Sequence, residues 1–331
     1  MPRTLAFLSA ALLTILPAHA DTLDVYTYES FVSEWGPGPQ IEEAFEARCD
    51  CTIRWTAVDD AAILLSRLRL EGSGGDADVV LGLDTNLMAE TLDHGLVRQH
   101  GLVDLEFDLP LPWNDPVFVP FDYGYFAVIY DDQALPQPPA SLDDLVSGGN
   151  GADLIIQDPR TSTPGLGLML WMKTVYGDSA ADAWRTLSSR VLTVTAGWSE
   201  AYGLFLEGEA PMVLSYTTSP AYHQLVEGET RYRAAMFEEG HYMQIEVAAM
   251  VEGTDQEDLA RDFLRFIATP EFQGAIPTGN WMYPVIDLGD DLPDVFRELP
   301  APAVSLLLPP EEAGAMRRQW IDEWLEATIG E

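Results

Sequence analysis

Short alternating runs of apolar residues keep giving way to stretches in which apolar positions recur three and four apart. Leu23-Asp24-Val25-Tyr26-Thr27-Tyr28 reads as a strand, and Ile41, Ala44 and Phe45 lie at helical spacing up to Arg48. Thr52 to Val58 reads as a strand, after which Asp59-Asp60 caps a helix through Leu64, Leu65 and Leu68 to Gly72. Asp78 to Leu83 is a buried strand, and Asp84 is placed as the cap of a helix ending at Gly95. The pattern lapses between Leu105 and Asp122, where Pro110, Pro112, Pro116 and Pro120 fall, and resumes with an apolar strand over Tyr125–Tyr130.

A second set follows the same rhythm. Strands are expected at Asp153–Gln157, Val191–Thr195 and Met212–Ser215, with helices at Pro164–Tyr176 (stopped by Gly177), at Ser199–Leu206 and from Ser219-Pro220 onward. Tyr242–Val251 is strand-like again, and Gln256–Ala268, Glu271–Ile276 and Glu311–Ile329 are helical. This is an α/β chain with a largely parallel sheet in two lobes. Lobe 1 takes residues 21–121 and 246–331, lobe 2 takes 122–245, and the C-terminal helices return to lobe 1. Two crossings make a hinge, and the cleft between the lobes is where a ligand would sit.

Ligands of open α/β sheets bind beyond the carboxyl ends of the strands. The turns there supply Tyr28, Asp59-Asp60-Ala61, Asp84, Ser162-Thr163, Trp198-Ser199 and Tyr216-Thr217-Thr218-Ser219. Aromatic and hydroxyl groups dominate this set, which suits a flat, partly cationic ring with a polar or phosphorylated tail. At Ser162-Thr163-Pro164-Gly165, Thr163 is the expected N-cap and Pro164 the first helical residue. Such an end presents N–H groups and hydroxyls to an anion, although a capped helix is also a common structural feature. Trp198, Tyr216, Tyr222 and Trp281 lie in polar turns instead of on apolar stripes, whereas Trp171, Trp184, Trp320 and Trp324 belong to helix packing. A cation over each such ring gains ~0.5–2 kcal/mol.

Catalytic motifs are missing. There is no H-E-x-x-H, no Walker A and no G-x-G-x-x-G opening a helix. Gly197-Trp198-Ser199-Glu200-Ala201 sits where a nucleophile elbow would but lacks the final glycine, and Ser199 reads as an ordinary N-cap. No catalytic residue and no metal site is expected.

Charge narrows the partners. In 331 residues there are 17 Lys plus Arg against 54 Asp plus Glu, a formal charge of −37, and Lys173 is the only lysine. That field repels a phosphate backbone, so nucleic acid is excluded as a partner. The acidic surface reads either as adaptation to salt or as attraction for a cation. With 47% apolar residues, the chain has ample material for a folded core.

Residues 1–20 read as a cleaved export signal: Arg3, an apolar run from Leu5 to Leu16, and the small-residue site Ala18-His19-Ala20. Nothing later reaches the length of a membrane span. Cys49 and Cys51 suit an oxidising compartment, where a structural disulfide is favoured over a redox pair because no C-x-x-C is present.

The turns carry a resemblance. Residues 26–28, 35–39, 120–125, 157–165, 197–203, 214–222 and 277–284 closely resemble the thiamine-binding periplasmic proteins of bacterial ABC importers, over essentially the whole chain after the leader. The resemblance implies a two-lobed, two-crossing binding-protein fold in the periplasm. Its ligands would be thiamine, thiamine monophosphate and thiamine diphosphate, with no cofactor beyond them. A membrane permease driven by an ATPase would be the partner, and a monomer suits docking to it. It places the ring system among Tyr28, Trp198, Tyr216, Tyr222 and Trp281, near Asp60-Ala61, and the phosphates at Ser162-Thr163 and Thr217-Thr218-Ser219. Ala61 stands where the family usually has glycine, a departure that weakens the contact if the backbone there needs a positive φ.

The alternatives are a same-fold protein for a polyamine or ferric ion, a thiamine-degrading enzyme, and a purely structural or surface-interaction protein, which the paired ligand-like turns argue against. The first would want several carboxylates or an adjacent tyrosine pair. The second would want a cysteine nucleophile at a strand-to-helix turn.

Overall fold

The computed structural model describes residues 21–148 and 152–329, so the expected leader at 1–20 lies outside the described residues. Parallel strands need long crossovers, and the helical stretches between the first strands supply them. β1 (Thr22–Tyr28) therefore lies parallel between β2 (Thr52–Val58) and β3 (Val79–Asp84). β3 is buried along its entire length, as a strand covered on both faces must be.

In the other lobe, β6 (Leu154–Gln157) runs parallel to both β7 (Val191–Thr195) and β8 (Met212–Tyr216). What joins the two sets is antiparallel. β5 (Phe118–Asp131) and β10 (His241–Val251) pair with each other, β10 pairs with β3, and β5 pairs with β8, giving the order β2-β1-β3-β10-β5-β8-β6-β7. The sheet is thus parallel at its two wings and antiparallel at its centre, not largely parallel throughout. Two long strands crossing between lobes in opposite senses impose that.

β5 begins at Phe118, well before the expected Tyr125, and takes Pro120 into the strand. It can do so because the ladder slips there. Val247 pairs with Pro120 and Glu246 with Asp122, leaving Phe121 as the bulged residue, and a proline is tolerated where pairing is interrupted. On the other side of β10, Val247 pairs with Leu83 and Ala248 with Leu81, so Gly82 is bulged at the same level. On β5 the partner changes from β10 to β8 between Tyr125 and Phe126.

Short strands missed by the periodicity pair with the two crossing strands: β4 (Val97–Arg98) and β12 (Ser305–Leu306) with β10, and β9 (Tyr232–Ala235) and β11 (Tyr283–Pro284) with β5. Caps move by a residue or more from their expected places. Ser162, not Thr163, is the N-cap of the Thr163–Tyr176 helix, and Gly197, not Ser199, precedes the Trp198–Leu206 helix. Asp84 does not cap the Met88–Asp93 helix; its carboxylate accepts from the N–H and the side-chain amide of Asn86, forming a turn. The Ser219-Pro220 helix is brief, Pro220–Tyr222, and passes into a π-helical turn at His223–Glu227.

The C-terminal Pro310–Ile329 helix does more than return to lobe 1. Arg317 pairs with Glu90 of that lobe, while Lys173 pairs with Glu323 and Trp184 packs edge-on against Trp324 in the other. It braces both lobes. Cys49 and Cys51 are bonded, with Asp50 between them in the left-handed region at φ 52°, where aspartate is among the residues that fit. No helix among the described residues is long and apolar enough to cross a membrane.

Candidate functional site

The strand-to-helix turns of both lobes converge on one cavity of about 570 Å³. From lobe 1 come Tyr28 at the end of β1 and Asp59-Asp60 after β2; from lobe 2 come Thr163, Trp198, Tyr216, Ser219 and Tyr222. Trp281 and Asn280 close the wall from the segment leading into β11. The lining includes no lysine, arginine or histidine, whereas Asp59, Asp60 and Glu246 all contribute to it.

The aromatic rings are held by contacts within the chain itself. Trp198 stacks on Tyr202 at 5.0 Å, and its indole N–H donates to Ser215 Oγ at 2.7 Å. Ser215 Oγ is in turn 2.8 Å from Ser219 Oγ, which accepts from the Tyr216 N–H. Tyr202 is itself fixed by His223 Nε2 at 2.8 Å, and His223 Nδ1 pairs with Glu227. Tyr222 meets Trp281 edge to face at 5.2 Å. Trp281 adopts φ 56°, a left-handed conformation unusual for a large side chain and of the kind that gathers at binding sites.

Asp60 spans the lobes. Its Oδ1 accepts from the N–H of Ala61, which begins its own helix, and from the N–H of Thr163 at 3.0 Å in the opposite lobe. Burial pushes its carboxyl up from the usual range, while those N–H groups and the hydroxyls of Ser162 and Thr163 pull it back down. The helix end expected to receive a phosphate therefore already holds a carboxylate.

Beneath the rings lies an acidic row that the periodicity did not show. Asp84 on β3, Glu246 on β10 and Asp122 on β5 stand opposite one another in register, brought level by the two bulges. Glu246 Oε2 accepts from Tyr28 Oη at 2.8 Å, and the Asn280 amide donates to Asp122 Oδ2, Tyr28 Oη and Glu246 Oε2. Burial pushes Asp122 up to about 7 and Asp84 up to about 6; Glu246, desolvated and beside Asp122, is pushed well above the ordinary carboxylate range. Desolvated, and set side by side, the pair does not readily carry two charges.

A family of bacterial extracellular solute-binding proteins matches residues 32–274. The chain belongs to this family. It is 53% identical over 305 residues to the thiamine-binding periplasmic protein of Escherichia coli (strain K12), covering 92% of this chain and 93% of that one. It is 52% identical over 326 residues to the one from Brucella suis biovar 1 (strain 1330), covering 98% of each chain. A solved periplasmic thiamin binding protein superposes with a TM-score of 0.91 at 53% identity, covering 93% of this chain and 96% of that chain. Iron-bound HitA from Pseudomonas aeruginosa, at 19% identity and TM-score 0.75, shares the fold.

In this solute-binding protein the expected site residues separate into two groups. Tyr28, Asp60, Thr163, Trp198, Tyr216, Ser219, Tyr222 and Trp281 face the cavity. Ala61, Ser162, Thr217 and Thr218 are buried behind the wall. Ala61 opens a helix outside the left-handed region, so alanine costs nothing there by conformation, and its N–H is already taken by Asp60. The sequence reading missed Glu246, Asn280, Trp35 and Tyr202 in the wall, with Asp122 behind them. The available signal was a carboxylate, a glutamine and a histidine inside the otherwise apolar run His241–Val251. Among the described residues no group of His, Cys, Asp or Glu is placed to hold a metal ion.

Two expectations follow from this geometry. A methyl group on Gly82, at φ 109°, would stand 2.4 Å from the Tyr28 ring. Gly82→Ala should therefore both strain the bulge and push Tyr28 into the cavity, lowering the melting temperature and weakening the ligand complex together. A variant of unchanged stability would show that the bulge has another way to relax.

The second concerns pH. Burial pushes Asp122 up to about 7 and holds Glu246 well above the ordinary carboxylate range, so the native pair keeps a proton that the unfolded chain gives up near the ordinary value of 3.8. Between those values the native state binds more protons than the unfolded one, so its stability falls as pH rises through the window. The ligand-free protein should melt a few degrees higher at about pH 5 than at about pH 7.5, and Asp122→Asn, which removes that titration and its push on Glu246, should reduce the difference. A melting temperature that falls on acidification in the native protein would contradict this.

Proposed function

We propose that this protein captures thiamine in the cleft between its lobes and hands it to an ABC importer in the periplasm, as a binding protein and not an enzyme. The observation that carries the reading is the wall itself: aromatic rings and three carboxylates with no basic side chain. A permanently cationic aromatic ring gains from both kinds of neighbour. The names of relatives at 52–53% identity support it, since each is called a thiamine-binding periplasmic protein. A thiamine-degrading activity would want a thiol at the cavity, and the two cysteines are instead bonded to each other in lobe 1.

The monophosphate and diphosphate esters belong to the same proposal. Their tails would be received at the start of the Thr163–Tyr176 helix, where the Ser162 and Thr163 hydroxyls and the Thr163 N–H converge, in exchange for the Asp60 carboxylate that occupies it. A membrane permease with its ATPase is the partner, the exported protein acting as a monomer.

The test is calorimetric titration of refolded, ligand-stripped protein with thiamine and both esters. Binding with one-to-one stoichiometry that survives added salt is expected, because the contacts are enclosed and screening acts mainly on exposed charges. Replacing Ser162 and Thr163 by alanine together should weaken the esters more than thiamine. Equal losses would move the tail elsewhere, and no heat with any of the three would remove thiamine as the ligand.

A further inference from the structure

The carboxyls of Asp122 and Glu246 sit at the crossing of the two lobes, on the two strands that make the hinge, and one of them opens into the cavity. Neither is exposed: Asp122 is fully buried and Glu246 nearly so. Their hydrogen-bond surroundings are short of donors. Tyr28 offers one hydrogen and the Asn280 amide two, against four carboxylate oxygens, and Asp122 Oδ1 is buried without a partner.

The groups packed against the pair from every side have the wrong sign to help. β1 brings the Tyr28 phenol, β3 brings Asp84 across the ladder, and β8 brings Tyr216, which also feels Asp60 from the start of the Ala61–Glu71 helix. The segment before β11 brings only the neutral Asn280. The guanidinium of Arg317 acts on Asp84 in this row, and no guanidinium is among the groups that shift Asp122 or Glu246. A buried pair of this kind needs either a proton or a cation from outside to be neutralised.

We propose that Asp122 and Glu246 share one proton in the empty cleft and that a bound organic cation takes its place, so that ligand capture releases a proton to solvent. Glu246 is then the cavity's main reader of positive charge, and Asp122, acting through it, is a positioning residue. Asn280 and Tyr28 hold the Glu246 carboxylate at the floor in both states. The exchange balances: one O–H bond of the pair breaks, the proton leaves for water, and the cation supplies the compensating charge. A neutral isostere of the ligand has nothing to exchange for the proton and would be rejected, which makes the pair an element of specificity as well as of affinity.

This inference rests on the reading of the cleft as a thiamine site, and the experiment separates the two. Thiamine is titrated into the native protein between about pH 6 and pH 8.5 in two buffers of different ionisation enthalpy, which reports protons released per ligand bound. The expected result is a heat that depends on the buffer, a release approaching one proton per ligand towards the acidic side, and a Kd that rises there by nearly a decade for each pH unit of acidification.

Glu246→Gln and, independently, Asp122→Asn should make both the heat and the Kd insensitive to buffer and pH. The infrared carbonyl band of a protonated carboxyl should disappear on binding in the native protein alone. Tight binding with no buffer dependence and a flat Kd overturns the proton exchange while leaving the thiamine reading standing. Proton release that persists in both variants assigns it elsewhere and overturns the inference as well. No binding at any pH overturns the functional reading, and this inference with it.

Discussion

Asp60→Ala is expected to weaken thiamine binding by about 10- to 100-fold and to open the ligand-free protein. The variant removes two things at once. One is the cap of the Ala61–Glu71 helix, which is worth ~1 kcal/mol. The other is the hydrogen bond to the Thr163 N–H across the cleft, which as a charge-assisted contact is worth ~1.5–3 kcal/mol. The first loss lowers overall stability. The second falls on the closed arrangement alone, so it lowers the population competent to enclose a ligand and raises the apparent Kd by the same factor.

Calorimetry of the variant gives the affinity, and small-angle scattering of the ligand-free form gives the radius of gyration, which should increase. Asp60→Asn keeps an oxygen that can accept both N–H groups and should fall between the two. An Asp60→Ala protein that binds as tightly as the native one and scatters identically would show that the contact holds nothing shut.

Trp198→Ala should cost the ligand complex at least ~1.4 kcal/mol, a factor of ten or more in Kd. The ring presents one face to Tyr202 at 5.0 Å, and its N–H anchors Ser215 and through it Ser219. Truncation therefore deletes a wall of the cavity and frees the Ser215–Ser219 pair that shapes the Tyr216 turn. Trp198→Phe separates the contributions, since it keeps a stacking face and loses only the indole donor; its affinity should recover most of the loss. An unchanged Kd for Trp198→Ala would take this ring out of the site.

Much of this site was visible in the chain because local rules produced it. Tyr28, Asp60, Trp198, Tyr216 and Ser219 all sit where a strand ends, and a strand end is marked by the change from alternation to helical spacing. The caps were nearly right for the same reason, but a cap is decided by the backbone angles of single residues, so Ser162 and Gly197 took the places read as Thr163 and Ser199. Glu246 was missed because its neighbours look like any buried strand. Its partners Asp122 and Asn280 stand 124 and 34 positions away.

The long strand through Pro120 was missed for a related reason. A proline argues against a central strand unless a bulge excuses it, and a bulge is a property of two strands together. Asp84 was read at a strand-end turn, but register decided that it stands in one row with Glu246 and Asp122.

Alternation, spacing and turn chemistry are carried by neighbouring residues, so the two α/β sets, the strand-end aromatics and the cysteine pair could be read from the order of amino acids alone. Strand direction at the crossing, the paired bulges, the Asp60 contact between lobes and the buried acidic row depend on which distant segments lie side by side. Only packing decides that, because the free energy of burying both faces of β5 and β10 selects a register that no short stretch of either strand encodes.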